Sequence, residues 1–150
     1  MTNIDPAITL SPSIVGQAEK AHAAILKRAI SGTTLDEQQW ITLNVVLASS
    51  AGIDSTELVA RVASSAKFDP TDVEAAIAAL TDAKLVEELP GSSGNVIVTE
   101  TGRALVERLR GQIGPLVARA YGNIPPEDLA TAARVLTEIT VKLSEVWAAN

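Results

Sequence analysis

Three aspartates, Asp36, Asp54 and Asp69, each stand just before apolar residues at helical spacing, and this recurrence limits the fold more than any other feature. An Asp side chain satisfies the free N–H groups of a helix start, and a Gln or Glu three residues on strengthens the signal. Asp36 has Gln39 in that place, ahead of Trp40, Leu43 and Leu47; Asp54 has Glu57, ahead of Leu58, Val59 and Val62. Asp69 instead precedes Pro70, whose fixed φ suits the first helical position, and Val73, Ala76, Ile77 and Leu80 then share one face. The second of these helices should end near Ser65. With the third, joined to it by a tight turn, it forms a helix-turn-helix candidate over 54–83.

The flanks add helices and one hairpin. From Ser13, Ile14, Ala18, Ala21, Ile25 and Ala29 recur at helical spacing, while Val15, His22, Leu26 and Ile30 widen the apolar stripe until Gly32 stops it. A helix so apolar needs cover on two sides. Beyond 83, two β-prone runs, 85–89 and 96–99, flank the turn cluster 90–95. Thr99 then offers a cap for a helix through Gly102, Leu105 and Leu109, which Gly111, Gly114 and Pro115 are expected to weaken, bend or end. The last start signal lies at 123–128. After it Leu129, Leu136 and Leu143 fall seven apart, each followed three residues later by Ala132, Ile139 or Val146, a seam that ends beside Trp147. The fold class expected is mainly α with a small β-hairpin.

Composition narrows the chemistry. The 150 residues carry 12 basic and 18 acidic side chains for a formal charge of −6, with no Cys and a single His. No disulfide framework, thiolate metal site or cysteine nucleophile is available. His22 would have to serve in any His-based triad, Gly91-Ser92-Ser93-Gly94 lacks the spacing of a nucleophile elbow, and adjacent Glu87 and Glu88 would point to opposite faces of a strand. We expect no enzyme, no metal and no cofactor. Residues 1–12 have neither a basic nor an apolar leader segment, and no run approaches the roughly 20 apolar residues of a bilayer span, so the expectation is a cytoplasmic protein without a membrane partner.

The order of elements and several motifs resemble the MarR family of bacterial winged-helix regulators, from about Ala18 to Trp147. Leu35-Asp36-Glu37-Gln38-Gln39-Trp40 is similar to the family's entry into its second helix, and Ser55-Thr56-Glu57-Leu58-Val59 and Leu80 to Glu87 match the run into the wing. Thr99-Glu100-Thr101-Gly102-Arg103-Ala104-Leu105 resembles the Leu-Thr-x-x-Gly-Arg-x-Leu exit, and Ile124-Pro125-Pro126-Glu127-Asp128-Leu129 the Leu-Ser-Pro-Glu-Glu-Leu of the last helix.

Residues 1–12, with two Pro and little periodicity, are expected to be a flexible arm, and the resemblance implies a dimerisation helix over 13–34, a winged helix-turn-helix over 35–103 and dimerisation helices over 104–150. Within the winged module the reading helix is expected at about 70–83 and the wing at about 85–99. It also implies a homodimer, with Ile14, Ala18, Ile25, Leu129, Leu136, Ile139, Leu143 and Trp147 at the interface. A small aromatic or carboxylic effector between the modules would meet His22, Leu26, Trp40, Arg119 and Tyr121.

Binding to a duplex relies on cations that neutralise phosphates. Here the sequence departs from the family. Over 54–103 it has Arg61, Lys67, Lys84 and Arg103 against nine acids, which is −5 of the chain's −6. Where relatives place Arg along the reading helix, this chain has Pro70, Ala75 and Ala79, and its wing tip lacks the family's Asp-x-Arg. The DNA-compatible groups are Ser64, Ser65, Lys67, Thr71, Ser92, Ser93, Asn95 and Arg103. Each has a plainer use as a local cap, a turn residue or a solvated charge, and Arg103 is also placed to pair with Glu100 or Glu107. The expected function is a homodimeric, DNA-binding transcriptional regulator, a repressor by expectation, with weak and salt-dependent affinity for double-stranded DNA. The alternative is a winged helix that no longer reads DNA and serves protein interaction through its acidic fourth helix.

Overall fold

The computed structural model describes residues 8–149, so residues 1–7 of the expected arm lie outside the described residues. Six helices and three strands follow in the order α1 (Pro12–Ile30), α2 (Glu37–Ala48), β1 (Ile53–Asp54), α3 (Ser55–Ala66), α4 (Pro70–Asp82), β2 (Val86–Glu88), β3 (Asn95–Val98), α5 (Glu100–Tyr121) and α6 (Pro126–Ala149). The chain divides into two compact units, the first ending at Ile113 and the second starting at Gly114.

All three aspartates act as helix caps. Asp36 Oδ1 accepts from Gln39 N at 2.8 Å, Asp54 Oδ1 from Thr56 N and Glu57 N, and Asp69 Oδ1 from Thr71 N at 2.8 Å. Each such cap is worth about 1 kcal/mol. α2 packs on both α3 and α4. Leu43 and Val46 of α2, Leu58 and Val62 of α3, and Val73 and Leu80 of α4 form the centre of the first unit's core, closed by Val106 and Leu109 of α5. The turn between α3 and α4 is made by Lys67 in the left-handed region, at φ 59°.

The wing differs from the expected two-stranded hairpin. A third strand, β1, pairs antiparallel with β3 through Ile53 opposite Val96 and Asp54 opposite Asn95, giving the order β1-β3-β2. Two residues are too few to show an alternating pattern in the sequence. Gly52 enters β1 at φ 93°, and Ser55 N donates to Gly94 O at 2.8 Å, so the start of α3 is tied to the tip of the wing.

α5 runs on through Gly111, Gly114 and Pro115 to Tyr121 instead of ending partway. Pro115 removes one donor and crowds the carbonyl four residues back, a cost of about 3 kcal/mol, while Leu116, Ala118, Arg119 and Ala120 after it are good helix formers. Thr99 caps this helix as expected, its Oγ1 accepting from Gly102 N at 3.0 Å. In the second unit, α6 carries no fully buried side chain. Leu143 and Trp147 are 63% and 66% exposed, and Leu136, Val141 and Val146 are also exposed.

Candidate nucleic-acid interface

The helix-turn-helix and the wing place the DNA-compatible residues on one unit. Ser64 and Ser65 are exposed near the end of α3, and Thr71 is exposed in the first turn of α4. Lys67 sits in the turn between them, its Nζ donating to Ser64 O at 2.6 Å. On the wing Ser93 is exposed at the tip. Ser92 and Asn95 are half-buried and hydrogen-bonded to each other, Asn95 Nδ2 donating to Ser92 Oγ. That bond holds the turn, which is the plainer use foreseen for both. Arg103 is exposed in the second turn of α5, and among the described residues neither Glu100 nor Glu107 forms an ion pair with it.

Of the two remaining cations of the module, Lys84 is exposed and Arg61 alone is engaged by an acid among the described residues. Arg61 donates to Glu57 Oε1 at 2.6 Å across one turn of α3, so its charge is partly answered within the helix. Lys84 follows α4 in the left-handed region, at φ 61°. On α4 itself, Asp72, Ala75, Ala78 and Asp82 are exposed, while Val73, Ala76 and Leu80 face the core. The helix that a duplex would meet thus presents carboxylates and alanine methyl groups.

A groove of about 430 Å³ lies between α3 and α4. Val59, Ala60, Pro70 and Ile77 form its apolar walls, Ser55 and Thr56 supply hydroxyls at one end, and Glu74 supplies the one charge. Sequence reasoning missed it. Val59 and Ile77 read as apolar helix positions, and Glu74 as only one of the nine acids counted over 54–103. The detectable signal was Pro70, Glu74 and Ile77 falling on one helical face.

The residues expected to hold an effector are divided between the two units. Leu26 and Trp40, in the first, are half-buried and pack on the core cluster. His22 is exposed, its Nδ1 2.7 Å from Ala18 O. Arg119 and Tyr121, in the second unit, are exposed near the end of α5. Of the interface candidates, Ile14, Ala18, Leu136, Leu143 and Trp147 are exposed, and Ile25, Leu129 and Ile139 are half-buried. Among the described residues no helix is long and apolar enough to cross a membrane.

No protein-family model matches the chain, and no curated protein sequence does. Solved structures do. A SlyA-like transcription regulator from Listeria monocytogenes superposes with a TM-score of 0.73 at 18% identity, over 94% of this chain and 93% of that one. CouR from Rhodococcus jostii, solved with p-coumaroyl-CoA, gives 0.70 at 20% identity over 85% and 89%. A MarR-family protein of Mycobacterium tuberculosis, solved with p-aminosalicylic acid, gives 0.63 at 19% identity over 87% and 98%. The backbone agreement extends over both units of the chain while fewer than a quarter of the residues are shared. The six helices and the small antiparallel sheet therefore make up the winged-helix fold of the MarR-family regulators.

Proposed function

We propose that the chain is a homodimeric, non-enzymatic transcriptional regulator that meets double-stranded DNA through the N-terminal half of α4 and through the wing. One observation carries this reading. The helix-turn-helix is intact around its capped turn, with Ser64, Ser65, Lys67 and Thr71 gathered at the end of α4 that enters a major groove in this class of module. The free N–H groups of that helix start and the adjacent hydroxyls suit phosphate oxygens. The carboxylates of α4 set the affinity low and make it fall steeply with salt.

The dimer is supported by an exposed apolar side of α6, where Leu136, Leu143 and Trp147, with Val146 beside them, are exposed in a single chain. So much apolar surface on a soluble chain marks an association site. A small aromatic or carboxylic effector is supported by the p-coumaroyl-CoA and p-aminosalicylic acid found with structures of the same fold. Such an effector acts by favouring one separation of the two reading heads over another.

Fluorescence anisotropy against the DNA upstream of the protein's own coding region, at low salt, tests the reading. Binding that weakens linearly in log salt supports it. No binding at micromolar protein overturns it.

A further inference from the structure

We propose that Glu88 is a positioning residue of the wing: through its bond to Gly94 it keeps the tip of the wing and the start of α3 in one fixed arrangement. Glu88 closes β2, and its Oε1 accepts from Gly94 N at 3.0 Å, six residues on and across the turn. Gly94 O in turn accepts from Ser55 N at 2.8 Å. Both backbone groups of one tip residue are thus committed, one to a strand of the wing and the other to a helix of the helix-turn-helix.

The second bond finishes a cap. The first N–H groups of a helix have no partner inside it. Asp54 Oδ1 serves Thr56 N and Glu57 N, which leaves the N–H of Ser55, the first residue of α3, to Gly94 O. Gly91 and Gly94 both take positive φ, and glycine backbone is the least restrained of any residue. A side chain that grips one of them removes freedom that the turn would otherwise keep.

The consequence for DNA lies in Ser92, Ser93 and Asn95, which flank Gly94. With no Arg over 89–95, the wing offers only short polar groups, and short groups reach a groove only where the backbone places them. Glu88 also carries a cost, since its charge opposes phosphate. Glu87 precedes it on the other face of β2, paired in register with Ile97, so the same substitutions there change the charge without touching Gly94. The use of the clasp in binding rests on the DNA-binding reading above; the clasp itself does not.

The test sets Glu88→Gln against Glu88→Ala in the full chain. Both remove one negative charge, and only glutamine keeps an oxygen for Gly94 N. Amide hydrogen exchange at Ser55 and Gly94 should be about five-fold faster in Glu88→Ala than in Glu88→Gln, the loss of one hydrogen bond. Anisotropy against a duplex at low salt should favour Glu88→Gln over Glu88→Ala by about the same factor, because a loose wing must be ordered on binding. Glu87→Gln and Glu87→Ala should bind alike. Equal exchange in the two Glu88 variants, equal duplex affinities for them, or the same affinity ratio at Glu87 would each overturn the proposal. Absence of binding by every variant overturns the DNA-binding reading instead, and the exchange rates then decide the clasp on their own.

Discussion

Gly102 lies so close to the carbonyl of Leu85 that a β-carbon at Gly102 would overlap the Leu85 oxygen. The contact joins the first turn of α5 to the residue that leads into β2. The same carbonyl accepts from Thr99 N at 3.0 Å, and Thr99 Oγ1 donates to Lys84 O at 2.7 Å. The end of α4, the base of the wing and the start of α5 thus meet over a few atoms.

Gly102→Ala should therefore destabilise the chain by about 1–3 kcal/mol, the usual cost of forcing atoms into a filled site. Urea unfolding is expected to show an earlier midpoint with little change in slope. An unchanged midpoint would mean that the wing and α5 separate freely.

Asp69 does two things at once, and its two contributions can be separated. Asp69→Asn keeps a capping oxygen for Thr71 N and removes a charge beside the presented end of α4. Stability should stay within a few tenths of a kcal/mol while duplex affinity rises. Asp69→Ala should lose about 1 kcal/mol of stability for the same gain in affinity. Thermal melts and anisotropy at one salt concentration compare them.

Arginine restored on α4 should supply what that helix lacks. Ala75→Arg, at an exposed position, should strengthen duplex binding and steepen the dependence of log affinity on log salt by about 1 for one new phosphate contact. Ala79→Arg should do less, because Ala79 is half-buried. A salt titration that is parallel for wild type and Ala75→Arg would show that α4 does not face the duplex.

Lys67→Gly is expected to move stability and binding in opposite directions. Glycine relieves the left-handed backbone at φ 59°, so the melting temperature should hold or rise slightly. The lost cation should lower duplex affinity and reduce the salt slope by about 1. A variant with weaker folding would indicate that the Lys67 bond to Ser64 O outweighs the backbone strain.

On the dimer proposed above, wild type should sediment at twice the chain mass and Leu143→Glu combined with Trp147→Glu should leave a monomer at the same concentration. Carboxylates cannot be buried in an apolar seam without a partner. A persistent dimer would place the interface elsewhere.

Much of this fold was legible because its signals are local. The Asp caps, the Pro at the start of α4 and the polar turn of the wing each act within a few residues, and the sequence marks them directly. β1 was not legible, since its two residues gain strand geometry only from their pairing with Asn95 and Val96. Continuation of α5 past Pro115 was hidden for a related reason, as the penalty of one residue is visible and the propensity of its neighbours is diffuse. The groove escaped because it is a property of two helices together. Val59 and Ile77 each look like an apolar helix position when taken singly, and only the crossing of α3 and α4 leaves them half open.

α6 spans 24 residues without one fully buried side chain. An apolar side left on the surface of so long a helix is costly in water. On the dimer proposed above, self-association would cover it, and the amount of protein present would then set how much of that side meets solvent.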